Sequence, residues 1–498
     1  MSNKAYSDLE DRFRRILTLR DVSQILQWDG SAIMPPGGAA GRADQLAELE
    51  AIRHGLISTA KTSALLSEAE QLGNLDDWQA ANLKAMKHLW VHGTALTEKQ
   101  VVDLSRASSA CETVWRTARA GADFAAVLPS LEKLVTMVRE AAKAKSDALG
   151  LSLYDALLDQ YEPGGRSDQI DQHFAVLEDF LPGFLDQVLQ HQQGQPTARR
   201  PPGPFPEAAQ RALGLKLMTA LGFDFDHGRL DTSLHPFCGG TPDDVRITTR
   251  YDEDDYSSAL MGVLHETGHA LYERGLPANW RYQPVGDALG MATHESQSLL
   301  VEMQVCRSRP FLDFAAPLIA EAFHGTGPAW QPDNQYRLLT RVERGLIRVD
   351  ADEVTYPLHV ILRYRLEKAV IGGDLNVADL PTAWNDGMAE LLGVRPASDR
   401  QGCLQDIHWY DGAWGYFPTY TLGAMTAAQL FGAARTAKPE IGQGIPLGNF
   451  KPLMAWLGEN VHCLGSSISA NDIVVRATGK PLDSRAFINH LKSRYLPD

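Results

Sequence analysis

Apolar residues recur at helical spacing from the start of the chain. Leu9, Phe13, Ile16 and Leu17 fall at i, i+4, i+7 and i+8, one stripe of an amphipathic helix. Met34-Pro35-Pro36-Gly37-Gly38 ends that pattern, because proline brings no amide donor and glycine loses the most entropy on ordering. A second helix is expected after it, with Leu46, Leu49 and Leu56 among its apolar positions. Leu131, Leu134, Val135 and Val138 mark another, with Ser130 as its expected N-cap. Each of these stripes reads as the buried face of a helical core.

Two segments depart from this pattern. Residues 194–206 (GQPTARRPPGPFP) hold five prolines and preclude a helix, so a surface crossover within one domain is expected there in preference to a linker. Residues 245–251 (VRITTRY) alternate and are β-branched, which predicts a strand. An extended peptide could lie beside that strand and pair with its main chain, or the strand could simply pack in the core. The resulting expectation is a mainly α fold with a small β-sheet beside the helix described next. It would be a single domain over 1–498, made of an N-terminal helical part (1–194) and a metal-binding catalytic part (207–498).

The candidate chemistry lies at His265-Glu266-Thr267-Gly268-His269, an HExxH string. On a helix, residues four apart share one face, so both imidazoles can meet one ion. Glu266 is offset to the side, where it can act as general base toward a water. The context is helical: Ser257 or Ser258 can cap, Asp252 to Asp255 favour the positive helix end, and no proline falls between Tyr256 and Leu276. With 15 histidines in 498 residues, chance produces such a string in roughly a few per cent of chains this long. A third ligand is therefore needed. Glu295, in His294-Glu295-Ser296-Gln297, follows after a loop and a return helix, and Leu299 and Glu302 continue that helix. Two histidines and a glutamate leave one coordination position open, as a catalytic zinc site requires.

Charge and cysteine usage narrow the partners. A formal net charge of -15 with no basic run beyond Arg199-Arg200 argues against nucleic acid. Five scattered cysteines with no CxxC pair argue against a disulfide framework and fit a reducing compartment. The first 19 residues are polar and charged, and no apolar run approaches the roughly 20 residues that span a bilayer. A cytoplasmic protein without membrane contact is expected.

Six blocks in order resemble the carboxypeptidase Taq type of metallocarboxypeptidase. They are His235-Pro236-Phe237, Asp244 to Thr248, His265 to His269, His294 to Gln297, Ile347 to Asp352 and Gly402 to Trp409. Trp28-Asp29 with Met34-Pro35, and Tyr154 to Gly164, also look like that family. The resemblance implies a large helical peptidase fold with a deep central groove, the metal at its floor and N-terminal helices as one wall. It implies a homodimer, and release of single residues, with broad specificity, from peptides with a free C-terminus. It implies one zinc per chain, with cobalt as substitute, held by His265, His269 and Glu295, with Glu266 as catalytic base.

Two further roles are expected. Tyr420, with Tyr416 second, is the candidate donor to the oxyanion, although either could be a packed aromatic. Arg348 is the first candidate for the substrate carboxylate, which a guanidinium can hold bidentately. Its alternative is a salt bridge to Asp350 or Asp352. His235, Arg246, Gln405 and His408 are possible helpers. The rival readings are another HExxH oligopeptidase or aminopeptidase, and a helical metal-binding scaffold without activity.

Overall fold

Helix after helix forms where the apolar stripes predict, in a computed structural model that describes residues 4–497. Helices Lys4–Ala32, Ala39–Ile57, Ala60–Ala69 and Asp77–Thr94 bring Tyr6, Leu9, Phe13 and Ile16 against Ile57, Leu65, Leu66, Leu83 and Met86 in an apolar cluster of their own, with Leu46, Leu49 and Leu56 of the second helix only half-buried. A far larger core runs from Ala107 to Tyr495 and draws on residues from both sides of 194–206. That segment has no regular structure but is anchored. Arg199 exchanges two backbone hydrogen bonds with the Asn334 side chain, and Phe205 is buried in the large core. Among the described residues no helix is long and apolar enough to cross a membrane.

Two expected caps are wrong for the same reason: an aspartate upstream does the work. The helix carrying Leu131 to Val138 spans Phe124–Leu149, and Asp123 caps it by accepting from the Ala126 amide. Ser130 is interior, next to Pro129. The motif helix spans Tyr256–Gly275, and Asp255, not Ser257 or Ser258, accepts from the Ser257 amide at 2.9 Å. A carboxylate at the N-cap also meets the positive end of the helix dipole.

The sheet has three strands: β1 (Gly228–Thr232), β2 (Phe237–Thr241) and β3 (Asp244–Thr249). Their order is β1-β3-β2, with β3 parallel to β1 and antiparallel to β2. The strand ends at Thr249, short of Tyr251. Because β3 is central, both of its edges are used, so no substrate strand can pair with it; the free edges belong to β1 and β2. Leu230, Val245 and Ile247 pack with Val263 and Ala270 of the motif helix. The first helix is fixed to this sheet by Trp28, with the Arg246 guanidinium 4.4 Å and that of Arg229 5.2 Å from its ring centre.

Glycines set the spacing of three central helices. A Cβ on Gly268 would lie 2.5 Å from Gln297 O and 2.6 Å from Ser298 Cα, so the motif helix touches the backbone of helix Met291–Leu299. A Cβ on Gly423 would lie 2.9 Å from Glu295 Cβ and Cγ, which brings helix Pro418–Ala437 onto the same element.

Gly268→Ala is expected to cost about 1–3 kcal/mol, the usual penalty for overpacking, and to lower the metal retained after dialysis. Unfolding by denaturant and elemental analysis measure both, and an alanine variant as stable as the parent would show that the helices do not meet there. A second expectation concerns pH. Burial lowers His462 to about 3, and burial together with Arg363 lowers His359 to about 3. Above about 6.5 folded and unfolded chains are both neutral at these positions. Below it the unfolded chain takes up protons that the folded one refuses, so stability falls with pH. His462→Gln should flatten the fall of metal-free stability between about pH 6.5 and 4 by about 1.4 kcal/mol per pH unit. An unchanged slope would mean that His462 is not held neutral.

Candidate active site

The motif helix presents His265 and His269 on one face, and the return helix presents Glu295 opposite them. His269 Nε2 lies 3.4 Å and His265 Nε2 3.8 Å from Glu295 Oε2. These separations are wide for hydrogen bonds. They approach the edge of a tetrahedron whose centre binds its ligands at about 2.0–2.2 Å, an edge of about 3.4 Å. The far side of each imidazole is engaged: His265 Nδ1 meets Glu302 Oε2 at 3.0 Å and His269 Nδ1 meets His294 O at 3.1 Å. Both acceptors require Nδ1–H, which turns both Nε2 atoms toward the gap; His269 is neutral and offers a lone pair there, and His265 offers one once its Nε2 proton is lost. The donor set therefore fits a divalent cation.

Contacts run in opposite directions along the two helices, His265 to Glu302 and Glu273 to His294 (2.8 Å), so they are antiparallel. The start of the Glu295 helix has no side-chain cap of its own. Instead the loop after Tyr154 supplies two acceptors: Tyr161 O takes the Met291 amide at 2.7 Å and Glu162 Oε2 that of Ala292 at 2.8 Å.

Burial and mutual charge set the protonation of the site. Burial pulls His265 down, but Glu295 and Glu302 outweigh it and hold it at about 10. Glu295 is pushed up by burial and brought down to about 2 by His265 and His269. Burial lowers His269 to about 4, with His294 adding to the effect. Glu266, itself buried, is pushed up to about 7 by desolvation against the pull of His265. A carboxyl poised near neutrality can both take and return a proton.

Among the described residues a second group, His88, His92 and Asp159, has ligand atoms equally near one another. Its distances differ in kind. Both Nε2 atoms sit at 2.8 and 3.0 Å from Asp159 Oδ2, and Arg166 approaches the other oxygen at 3.6 Å. These are hydrogen bonds around a carboxylate that a guanidinium already balances. They fasten helix Asp77–Thr94 to the loop that holds the Glu295 helix.

A buried charge cluster lies beside Glu295. Arg348 pairs with neither Asp350 nor Asp352. Its partner is Asp406, at 3.0 Å from Nε and 2.8 Å from Nη2. Asp352 is spent instead on the amides of Glu343, Val354 and Thr355. Arg363 takes the other Asp406 oxygen at 2.7 Å. Burial pushes Asp406 up, yet Arg348 and Arg363 hold it well below the carboxylate range. Arg363 is lowered by burial to about 10 and stays charged at neutral pH, while burial keeps His408 neutral, at about 4. Two guanidiniums thus share one carboxylate, leaving positive charge in excess.

The remaining expected residues separate into two sets. Tyr420 stands in the cluster, its hydroxyl 3.2 Å from His408 Nε2 and its ring centre 4.9 Å from the Arg348 guanidinium. Tyr416 packs edge-on to Tyr420 and to Tyr161. Gln405 is present but fully used: its oxygen accepts from the Arg348 amide and from Arg363, and its nitrogen donates to three carbonyls. Arg246 forms a pair of hydrogen bonds to Asp244 and covers Trp28, so it fastens the sheet. His235 is exposed in the loop between β1 and β2 and makes no side-chain hydrogen bond. Sequence reasoning missed Arg363 and Glu302 as site residues. The signal for Arg363 was a charge directly after the mostly apolar stretch Leu358 to Leu362 of the wholly buried part of helix Tyr356–Gly372, where only a paired charge survives.

Known proteins match this chain over nearly its whole length. The family model for the carboxypeptidase Taq (M32) metallopeptidase matches residues 8–495. Thermostable carboxypeptidase 1 of Thermus thermophilus is 36% identical, with 99% of this chain and 98% of that protein covered. Carboxypeptidase 1 of Bacillus subtilis is 34% identical, with 97% of each covered. The solved structure of Trypanosoma cruzi metallocarboxypeptidase 1 superposes with a TM-score of 0.97 at 40% identity, covering 99% of this chain and all of that one, 100%. With a helical fold, a convergent His-His-Glu site and a match over nearly its whole length, the chain belongs to the carboxypeptidase Taq (M32) metallopeptidase family.

Proposed function

We propose that this chain is a metallocarboxypeptidase that hydrolyses the last peptide bond of peptides and releases single amino acids with broad specificity. His265, His269 and Glu295 would hold one zinc ion, and cobalt could replace it. The observation that carries the reading is the uncompensated positive charge of Arg348 and Arg363 around Asp406, beside the ligand helix. Tyr420 links the two: it covers Arg348, and one turn further along its helix Gly423 rests on Glu295. A free α-carboxylate would complete that charge balance, and a blocked terminus would not.

A divalent ion bound at the three ligands would supply Lewis-acid activation of a water and of the scissile carbonyl. Glu266 accepts the proton of the attacking water at its carboxylate and delivers a proton to the leaving amine nitrogen, a cycle suited to a group near 7. Tyr420 keeps its phenolic proton, since burial raises it to about 12 even with Arg348 nearby. Its hydroxyl can therefore donate to the oxyanion, with neutral His408 as its resting partner. Arg348 holds the substrate carboxylate, and Arg363, Asp406 and Gln405 hold Arg348.

The direct test is mass spectrometry of an unmodified peptide incubated with chelator-stripped and with zinc- or cobalt-restored protein. A metal-dependent ladder of single losses from the C-terminus is expected, no ladder from the C-terminally amidated peptide, and loss of that distinction in Arg348→Ala. Internal fragments, N-terminal losses or equal cleavage of amidated peptide would remove the carboxypeptidase reading. Tyr420→Phe is expected to lower kcat by about 10²–10³, the usual cost of one oxyanion donor, with KM little changed. An unaltered kcat would take Tyr420 out of the reaction.

A further inference from the structure

The helix that carries Glu295 does not continue as an α-helix. From Leu300 to Cys306 it widens into a π turn, in which the Arg307 amide donates to Glu302 O at 3.0 Å, five residues back. In an α-helix, residues five apart point about 140° away from each other, at 3.6 residues per turn. In the wider turn they stack on one side. Glu302 and Arg307 use that stacking: Arg307 donates to Glu302 Oε1 from Nε at 3.2 Å and from Nη2 at 2.7 Å. The other oxygen, Oε2, faces His265 Nδ1 at 3.0 Å. One carboxylate thus joins a guanidinium to the imidazole, all three at least three-quarters buried.

The turn is supported from outside. Arg307 Nη1 donates to Leu339 O at 2.9 Å. Arg494, from helix Ser484–Tyr495, donates to Met303 O at 2.6 Å and Gln304 O at 3.3 Å, two carbonyls inside the turn. It is anchored in turn on Glu353 at 2.9 Å. A π turn is a costly local geometry that recurs where function requires it. Here its product is the position of Glu302. The two histidines are consequently supported unequally, His269 by a neutral backbone carbonyl and His265 by a carboxylate.

We propose that Glu302, set by the π turn and locked by Arg307, is the positioning residue for the metal site. It holds His265 as the Nδ1–H tautomer with its Nε2 lone pair on the ion, and it strengthens that nitrogen as a donor. The inference rests on the metal-site reading above but not on the peptidase reading. Glu302 touches neither substrate nor ion, and its effect passes through His265.

The test compares Glu302→Gln, which keeps volume and an acceptor but removes the charge, with Glu302→Leu and with the control His265→Ala. Zinc affinity is measured by competition with a chromophoric chelator, the visible absorption of cobalt-loaded protein is recorded, and the melting temperature of each metal-free form is taken. Glu302→Gln should bind zinc about 10–100-fold more weakly, and because it strips the buried Arg307 of its carboxylate its metal-free melting temperature should fall as well, so zinc affinities are compared at a temperature where every metal-free form is folded. Glu302→Leu should alter the cobalt spectrum as well. At saturating metal both should lower kcat with KM unchanged. If the leucine variant does not fold, the glutamine variant decides. Parent-like zinc affinity in Glu302→Gln, measured where the metal-free variant is folded, would overturn the proposal. Parent-like affinity in His265→Ala would instead overturn the metal site itself.

Discussion

Two histidines and a glutamate on different helices can share an ion only if those helices approach to the reach of their side chains, and Gly268 is where that distance is set. Any side chain there would collide with the backbone at Gln297 and Ser298. The motif helix and its partner therefore meet main chain to main chain at this point, with no side chain between them. Gly423 repeats the device on the other side of Glu295. With both contacts fixed, His265, His269, Glu295, Glu266 and Tyr420 all lie on elements whose separation cannot relax by rotamer changes alone. The sheet, the Trp28 contact and the loop at Tyr161 and Glu162 serve to hold this stack from its flanks.

Charge in the interior follows one rule throughout. A buried ion is kept only where an opposite charge or several hydrogen bonds meet it. Glu353 has His490, Arg494, Gln304 and Tyr495 around it. Glu302 has Arg307 and His265. Two departures from it bear on the site. Glu295 and the imidazoles face a gap sized for a cation, and Arg348 with Arg363 outnumber their single carboxylate. One exception lacks positive charge and the other negative charge, which is the polarity that a metal and a substrate carboxylate would correct.

Much of this was legible in the chain because it depends on spacing along one helix or on a whole block of residues. The four-residue interval between His265 and His269 survives any packing, and the apolar stripes at Leu9 to Leu17 and Leu131 to Val138 both proved to be core faces. What escaped depends on contacts between distant segments. Strand order is one case, since nothing local distinguishes a central β3 from an edge strand. Arg348 is another: nearby Asp350 and Asp352 were the obvious partners, but Asp406 was the actual one. Glu302 was hidden by geometry, because reading the helix with a period of 3.6 puts Arg307 on the wrong face. The misplaced caps at Ser130 and Ser257 show that a plausible capping residue does not decide a boundary while an aspartate upstream is available.

Arg494 makes the completion of the site a matter of timing. It supplies the donors for the carbonyls of the π turn, yet it lies far beyond the three ligands in the chain. At about 5–20 residues added per second, on the order of ten seconds or more separate the synthesis of His265 from that of Arg494. Throughout that interval the carbonyls of Met303 and Gln304 lack the donors that Arg494 brings them in the finished fold. The setting of Glu302 therefore waits for the end of the chain, and helix Ser484–Tyr495 is the element that completes it.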